Sequence, residues 1–338
     1  MKKRLKSAII GCGLISRVHI SAIKELGLSD ICAVCDTDEN NLKEVLEICP
    51  EAVGYKDYKE MLTKADIDVV HICTPHFLHH EMAIAAMERG CDVYLEKPCA
   101  MNRTLAESII SASELCGKKV CVSFQNRLVN TTIEAKKVIK SGEMGKILGA
   151  KAIVTWERHG EYYTKSPWRG KFETEGGGVL INQSIHTLDL MYHLVGDVEF
   201  VDGHADTFKN ADIIEVEDTA SAFIKFKNGA TGVFYATNCN VADSPIELEI
   251  YFEKGSLLIK NDTLYKCIDG NFDELCQNET LLNGKPYWGN GHLRMIEAFY
   301  LTVMGEDKYY CDIKDSVQVL DMIAGIYKNS DVSPEKIK

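Results

Sequence analysis

Short apolar runs alternate with amphipathic stretches along the first third of the chain. The apolar run at residues 5–10 predicts a strand that ends in a glycine turn. Apolar positions at helical spacing, among them Ile15, Val18 and Ile23, predict a helix over residues 14–26. Further strands are predicted at residues 31–36, 68–74, 92–96 and 119–124, and further helices at residues 39–48, 78–89 and 104–116. Strands and helices in this order predict an α/β fold, a doubly wound parallel sheet with helices on its faces.

The pattern changes after residue 123, where longer strand candidates begin. Asn228-Gly229 lies between two of them and is a strong hairpin signal, and Lys254-Gly255 marks a second hairpin. The candidates cover residues 147–158, 219–227, 231–238, 246–252 and 256–260, and helices are predicted after Gly176–Gly178 and near residues 293–304. We therefore predict an N-terminal domain at residues 1–123 and an α+β domain with mostly antiparallel strands at residues 124–338. Whether the C-terminal helices pack back on the first domain is left open.

Composition narrows the class of protein. The 338 residues include 50 acidic and 38 basic side chains, and the resulting net charge of −12 argues against a nucleic-acid partner. Thirteen cysteines lie mostly in apolar runs, which is typical of reduced thiols in the cytoplasm. The basic and apolar start is similar to a signal peptide, but Ser16 and Arg17 end the apolar run and no A-x-A cleavage site follows. We expect a cytoplasmic protein without a membrane span.

The turn between the first strand and the first helix predicts a dinucleotide site. Glycines at such a turn let the backbone approach a pyrophosphate, which the free N–H groups of the helix N-terminus then bind. The residues assigned to this role are Gly11, Gly13, Leu14 and Ile15. Asp36 ends the second strand, where an acid binds the adenosine ribose, and residues 37–42 contain no lysine or arginine for a 2′-phosphate. This favours NAD over NADP; the alternative is that Asp36 merely caps the next helix.

A histidine-rich cluster follows the strand predicted at residues 68–74. Its polar members are Thr74, His76, His79, His80 and Glu81, with Pro75 at the turn. Three histidines and a glutamate are able to bind a metal ion, since His76 and His79 could share one helix face. The carboxyl end of a parallel strand is also where such sheets bind their ligands, so a nearby cofactor explains the cluster without a metal. We favour the cofactor and expect no metal.

Two further clusters carry candidate chemistry. Lys97 lies between Glu96 and a proline that restricts its backbone, and a lysine at a partly dry strand end can have a lowered pKa and transfer protons. The alternative is a surface lysine paired with Glu96. If a helix begins after Gly176–Gly178, then Asn182, His186 and Asp189 share one of its faces, which indicates either a polar cavity or a satisfied core histidine.

These motifs, in this order, resemble one family of proteins. They are similar to the motifs of the glucose–fructose oxidoreductase / inositol 2-dehydrogenase / rhizopine-catabolism family, over roughly residues 5–330. The motifs are the glycine turn, Thr74-Pro75 with His79 and Ala83, Glu96-Lys97-Pro98, the Gly176 to Asp189 segment and the Lys254-Gly255 hairpin. The resemblance implies a Rossmann domain, a second domain with an open, mostly antiparallel sheet, and homo-oligomers, dimers or tetramers, commonly formed through that sheet. It also implies NAD-dependent hydride transfer to or from a secondary alcohol of a sugar or cyclitol.

The resemblance further implies roles for single residues. Lys97 matches the catalytic lysine and His186 the catalytic histidine, whereas Asn182 stands where many members have an aspartate. Because an asparagine side chain cannot take up a proton, any proton relay that runs through lysine, aspartate and histidine is shortened in this chain. Asn182 can still form a hydrogen bond to a substrate hydroxyl. His76 is implied near the nicotinamide ribose and Arg127 near the substrate, and a cis Lys97–Pro98 peptide is implied. The cofactor assignment also includes Thr74, Pro75, His79, Glu96, Lys97 and Gln125.

Aromatic segments complete the expected pocket. Aromatic rings stack on sugar faces, and their polar tips bind hydroxyl groups. The residues assigned to the substrate are Lys97, Arg127, Trp168, Arg169, Asn182, His186, Tyr287 and His292.

The leading hypothesis for the function is a net dehydrogenase. The alternatives are a redox-neutral NAD-dependent glycosidase and a non-catalytic NAD-binding regulator.

Overall fold

The computed structural model describes residues 4–158, 160–279 and 290–334. The described residues fall into two compact units. Unit 1 comprises the described part of Met1–Gln125 together with Gly291–Val317, and unit 2 comprises the described part of Asn126–Asn290 and of Gln318–Lys338.

Unit 1 contains a six-stranded parallel sheet. Its elements are β1 (Leu5–Ile10), α1 (Leu14–Leu26), β2 (Ser29–Cys35), α2 (Glu39–Ile48), β3 (Val53–Tyr55), α3 (Tyr58–Lys64), β4 (Val69–Ile72), α4 (His79–Glu88), β5 (Asp92–Leu95), α5 (Arg103–Cys116) and β6 (Val120–Val122). The strand order is β3-β2-β1-β4-β5-β6, so the direction of winding reverses between β1 and β4. The doubly wound parallel sheet is confirmed. In such sheets the ligand binds at the carboxyl ends of the strands that flank this reversal.

Unit 2 contains an eight-stranded sheet. Its elements are α6 (Asn130–Ser141), β7 (Ile147–Thr155), α7 (Glu161–Thr164), α8 (Phe172–Glu175), α9 (Ile185–Val195), β8 (Val198–Asp206), β9 (Thr219–Phe226), β10 (Thr231–Thr237), β11 (Glu247–Phe252), β12 (Gly255–Lys260), β13 (Thr263–Ile268) and β14 (Asn271–Gln277). The strand order is β14-β13-β12-β11-β7-β10-β9-β8. Both predicted hairpins, β9–β10 and β11–β12, are present with antiparallel pairing. The β7–β10 pair is parallel, which makes the sheet mostly rather than wholly antiparallel.

Two helices follow in the C-terminal part of the chain. α10 (Gly291–Val303) belongs to unit 1 and packs against α1. α11 (Ile313–Tyr327) contributes residues to both units. The helices α3, α6, α7, α8 and α11 and the strands β3, β8, β13 and β14 were not predicted from the sequence.

Two findings bear on the class of protein. All thirteen cysteines lie in the described ranges and are thiols rather than disulfides. Within those ranges no helix combines the length and the apolar character that a membrane crossing requires.

Candidate functional site

The glycine turn of unit 1 lies at the reversal of the sheet. Gly11 has φ +92°, and a Cβ there would stand 2.6 Å from the carbonyl oxygen of Cys73, which follows β4, so only glycine fits. A Cβ on Gly13 would meet open space, and the first turn of α1 contains no acidic residue. The turn therefore leaves an accessible helix N-terminus suited to an anion.

Asp36 is fixed by the same turn. One carboxylate oxygen accepts a hydrogen bond from the Cys12 N–H at 2.7 Å, and the other accepts one from the Asp38 N–H at 2.8 Å. Asp38 is the residue that caps α2, since its side chain accepts hydrogen bonds from the N–H groups of residues 40 and 41. The capping alternative for Asp36 is therefore wrong, and its carboxylate stands beside the glycine turn.

The histidines of the Thr74–Glu81 cluster have separate partners. His79 is fully buried, with Nδ1 2.7 Å from the Pro98 carbonyl and Nε2 2.9 Å from the Thr74 carbonyl. Burial lowers the pKa of His79, although both carbonyl contacts oppose this effect. His80 Nε2 lies 2.5 Å from the Ser108 hydroxyl. His79 thus joins the loop after β4 to the cis Lys97–Pro98 peptide, which the resemblance implied and the structure contains.

Glu96 lies in a buried cluster that sequence reasoning missed. Its Oε1 is 2.9 Å from His19 Nε2 and 3.8 Å from His292 Nε2, and all three side chains are buried. Burial raises the pKa of Glu96, but the hydrogen bond from His19 and the charges nearby outweigh it and hold that pKa below its usual range. Burial lowers the pKa of His292 to about 4. The residue before Lys97 is therefore a buried carboxylate held by histidine.

A chain of hydrogen bonds continues from this cluster. His19 Nδ1 lies 3.0 Å from His71 Nδ1, and His71 Nε2 lies 2.7 Å from the Tyr300 hydroxyl. That hydroxyl is 2.7 Å from the Ser7 hydroxyl. Burial lowers the pKa of His71 well below its usual value, so a neutral imidazole links His19 to the Tyr300 hydroxyl. The only sequence signal for it was a histidine on the apolar face of α1 and another inside β4.

Residues of unit 1 fit the expected cofactor. Gln125 is 3% exposed, and its Oε1 has no hydrogen-bond partner among the described residues. A buried amide oxygen in this position calls for a donor beyond the described residues, which a bound ligand would supply. Together with the open space at Gly13 and the fixed carboxylate of Asp36, this matches a dinucleotide.

In unit 2 the glycine run is held by a buried acid. Glu217 is fully buried, and its carboxylate accepts hydrogen bonds from the Gly178 N–H at 3.0 Å, the Leu180 N–H at 2.9 Å and the Tyr327 hydroxyl. Any side chain on Gly178 would clash with the Glu217 carbonyl. Burial raises the pKa of Glu217. These contacts shape the turn that follows the glycines.

That turn corrects the expected polar helix face. α9 begins at Ile185 rather than directly after Gly178, because residues 179–184 form a turn in which the Ser184 N–H donates to the Val179 carbonyl. Asn182 therefore lies before the helix and does not share a helical face with His186 and Asp189. Its side-chain Nδ2 donates to Glu175 Oε1 at 2.5 Å. His186, half-buried, lies in the first turn of α9.

Asp189 has a different partner. Arg127 and Asp189 are both buried, and the guanidinium donates to the carboxylate from Nε at 2.9 Å and from Nη2 at 2.6 Å. This bidentate ion pair joins the turn Gln125–Leu128 to α9. It accounts for both side chains within the fold, and the substrate contact expected for Arg127 stays a prediction.

A polar and aromatic cluster surrounds Asn182. The Tyr162 hydroxyl accepts a hydrogen bond from Gln183 Nε2 at 2.7 Å, and Gln183 Oε1 accepts one from Asn238. The Arg169 guanidinium lies 4.3 Å from the centre of the Tyr162 ring and 5.2 Å from that of Trp168. Its Nε is buried without a hydrogen-bond partner among the described residues. Rings, amides and a cation with an unused N–H form a surface suited to a polar ligand.

The other assigned residues are distributed as follows. Trp168, Arg169, Asn182 and His186 lie in unit 2, whereas Lys97 and His292 lie in unit 1. His292 belongs to the buried Glu96 cluster, which the sequence did not indicate. Tyr287 lies outside the described residues. The substrate and cofactor roles of these side chains stay predictions.

Comparison with known proteins identifies the family. Residues 5–124 match a model described as an oxidoreductase family with an NAD-binding Rossmann fold, and residues 132–258 match the GFO/IDH/MocA C-terminal domain. D-glucoside 3-dehydrogenase of Escherichia coli is 27% identical in an alignment of 350 residues that covers 97% of this chain and 95% of that protein. Myo-inositol 2-dehydrogenase of Thermotoga maritima is 24% identical over 260 residues, 76% of this chain and 75% of that protein. The WlbA dehydrogenase of Bordetella pertussis, crystallised with NADH and UDP-GlcNAcA, has a TM-score of 0.85 at 28% identity, with 96% of each chain covered. The chain therefore belongs to the Gfo/Idh/MocA family of NAD-dependent dehydrogenases, in which the Rossmann domain binds the cofactor.

Proposed function

We propose that the protein transfers a hydride between NAD and a secondary alcohol of a sugar, cyclitol or glycoside. The observation that carries the proposal is the cluster of Tyr162, Arg169, Asn182 and Gln183 in unit 2. It offers hydrogen-bonding groups and ring faces rather than a basic patch, and thus suits a ligand with several hydroxyl groups and little charge. Relatives named for a glucoside and for an inositol support this substrate class.

The cofactor assignment rests on the groups of unit 1. The open helix N-terminus after Gly13 suits the pyrophosphate, and the Asp36 carboxylate suits the adenosine ribose hydroxyls. Gln125 offers a buried acceptor to the same ligand. NAD, when bound, supplies the acceptor for the hydride that leaves the alcohol carbon.

Lys97 and His186 are proposed as the acid and base groups. The proton of the reacting hydroxyl has to leave when the hydride leaves the carbon, and an amine or an imidazole is able to take it. Histidine has an unperturbed pKa of about 6.5, which suits proton transfer at neutral pH. Asn182 is proposed to orient the substrate through its amide, and Trp168 and Arg169 to line the pocket.

The test is a screen for NAD reduction with purified protein and a panel of sugars, inositols and glycosides. We expect NADH to accumulate with at least one member, and Lys97→Met to abolish the accumulation. Release of the aglycone from a glycoside without net NADH would instead show the redox-neutral glycosidase. NAD binding without turnover of any panel member would favour the non-catalytic regulator.

We also propose a homo-oligomer formed through the outer face of the eight-stranded sheet. Phe223 and Val233 stand opposite each other on β9 and β10 and are 46% and 52% exposed, and Tyr235 on the same face is 40% exposed. Apolar side chains exposed side by side on one sheet face are typical of a contact surface.

Val233→Lys should convert the oligomer to a monomer, as measured by light scattering. An unchanged molecular mass would place the contact elsewhere. Thr63→Lys, at an exposed position on α3 in unit 1, serves as the control.

A further inference from the structure

Glu175 is a buried carboxylate in contact with Asn182, the residue that stands where many family members have an aspartate. This residue ends α8, directly before the glycine run, and is 1% exposed. Its Oε2 accepts a hydrogen bond from the Gly170 N–H at 2.5 Å, and its Oε1 accepts one from Asn182 Nδ2 at 2.5 Å. An acid is therefore present one hydrogen bond away from the position where many family members carry one.

We propose that Glu175 is a positioning residue that determines which side of the Asn182 amide is presented to the substrate. When Glu175 is ionised it can only accept, so Asn182 directs its NH₂ group to Glu175 and presents its carbonyl oxygen to the substrate. When Glu175 is protonated its hydroxyl donates to that carbonyl oxygen, and the NH₂ group faces the substrate instead. The proposal rests on the proposed function, because it assumes that Asn182 contacts a substrate hydroxyl.

The surroundings of Glu175 allow both states near neutral pH. Burial raises its pKa to about 7, against the hydrogen bonds from Gly170 and Asn182 and the charge of Arg169. The charge of Glu217, the other buried acid nearby, contributes to the same rise. Three tyrosines are also coupled to Glu175, and burial raises the pKa of each: Tyr162, Tyr163 and Tyr327. Among the described neighbours, Glu175 and Glu217 are therefore the acids to be distinguished.

Glu175→Gln imitates the protonated state. The Gly170 N–H requires an acceptor, so the new amide oxygen takes that position and the new NH₂ group faces Asn182. Asn182 must then turn its carbonyl oxygen inward, which leaves its NH₂ group toward the substrate at every pH. Glu173→Gln is a matched control, since Glu173 is an exposed acid on the same short helix.

The first experiment needs no substrate. Infrared difference spectra of the free protein between about pH 6 and about pH 8 should contain a protonated-carboxyl band that Glu175→Gln removes and Glu173→Gln retains. Asn182→Ala removes a hydrogen bond to the ionised form and should move the midpoint of this band to higher pH. A wild-type protein without such a band, or a Glu175→Gln spectrum in which the band has the same intensity as in the wild type, would overturn the proposal whatever the activity.

The second experiment uses the alcohol substrate found in the screen. A substrate hydroxyl that donates to the Asn182 carbonyl oxygen favours the ionised form of Glu175. KM should therefore fall as the pH rises through about 7. The expected decrease is roughly two- to tenfold, which is the change in affinity that one hydrogen bond produces. Glu175→Gln should have a KM without this pH dependence and a kcat close to that of the wild type, whereas Glu173→Gln should match the wild type throughout. A pH-dependent KM in Glu175→Gln would also refute the proposal. If no substrate is found, the infrared spectra still test whether Glu175 exchanges a proton in this pH range. A failure of the proposed function is therefore distinguished from a failure of the proposal for Glu175.

Discussion

Replacing the buried carboxyl of Glu175 should change how the stability of the protein depends on pH. The pKa of Glu175 rises from 4.5 to about 7 on folding because burial disfavours its ionised form. A group that holds its proton more tightly in the folded state contributes its stability below the unfolded pKa and loses it as the pH rises through the folded pKa. At about 1.36 kcal/mol for each tenfold change in proton affinity, ionised Glu175 costs about 3 kcal/mol above pH 7.

Glu175→Gln retains both hydrogen bonds and has no charge to bury. The free energy of unfolding, measured by urea titration, should be similar for the two proteins near pH 4.5. At about pH 8 the variant should be more stable than the wild type by up to about 3 kcal/mol. Glu217 is present in both proteins, so its own contribution largely cancels in the difference. A difference that stays constant across this range, or that also appears in exposed Glu173→Gln, would refute the reasoning.

The other predictions concern the proposed chemistry. Asp36→Ala should narrow the preference for NAD over NADP, since one or two charge-assisted hydrogen bonds of about 1.5–3 kcal/mol each are lost; an unchanged ratio of Kd values in calorimetry would contradict this. Lys97→Met should lower kcat by roughly 10²–10⁴ with NAD affinity nearly unchanged, and near-normal turnover would exclude Lys97 from the mechanism. His186→Ala should lose kcat, whereas Asn182→Ala should mainly raise KM; equal losses of kcat at constant KM would disprove that division. Asn182→Asp should remain active, with its pH–rate profile moved to higher pH because two adjacent carboxyls share one proton; an unmoved profile would contradict the contact with Glu175.

Most of unit 1 could be predicted because its signals are local. β1, α1 and α2 have the predicted bounds, since each helix begins or ends at a glycine or an aspartate whose role depends on its immediate neighbours. The His19–Glu96 contact could not be predicted in this way. The two residues are 77 positions apart, and only the packing of α1 against the sheet brings them together. A histidine among apolar residues indicates burial, but it does not name its partner.

Unit 2 illustrates where local pattern fails. Asn228-Gly229 specified its hairpin through two residues, as expected for a turn. The helix predicted after Gly178 begins later because Glu217, 39 residues further along, binds the N–H groups of Gly178 and Leu180 and stabilises a turn. Helical spacing predicts Asn182 on one face with His186 and Asp189, but the turn directs its side chain to Glu175. Long-range hydrogen bonds to buried carboxylates therefore determined the part of the site that periodicity misassigned.

The asparagine at position 182 and the acid at position 175 are best understood together. Asn182 and Glu175 are in hydrogen-bond contact at 2.5 Å, and an aspartate in place of Asn182 would bring two buried carboxyls to that distance. Such a pair cannot ionise fully, because like charges in a low-dielectric site raise one pKa strongly. The neutral amide avoids this cost and is able to donate or accept according to the state of Glu175. Under the proposed function, the asparagine at position 182 is therefore accompanied by a titratable carboxyl that lies one hydrogen bond further from the substrate.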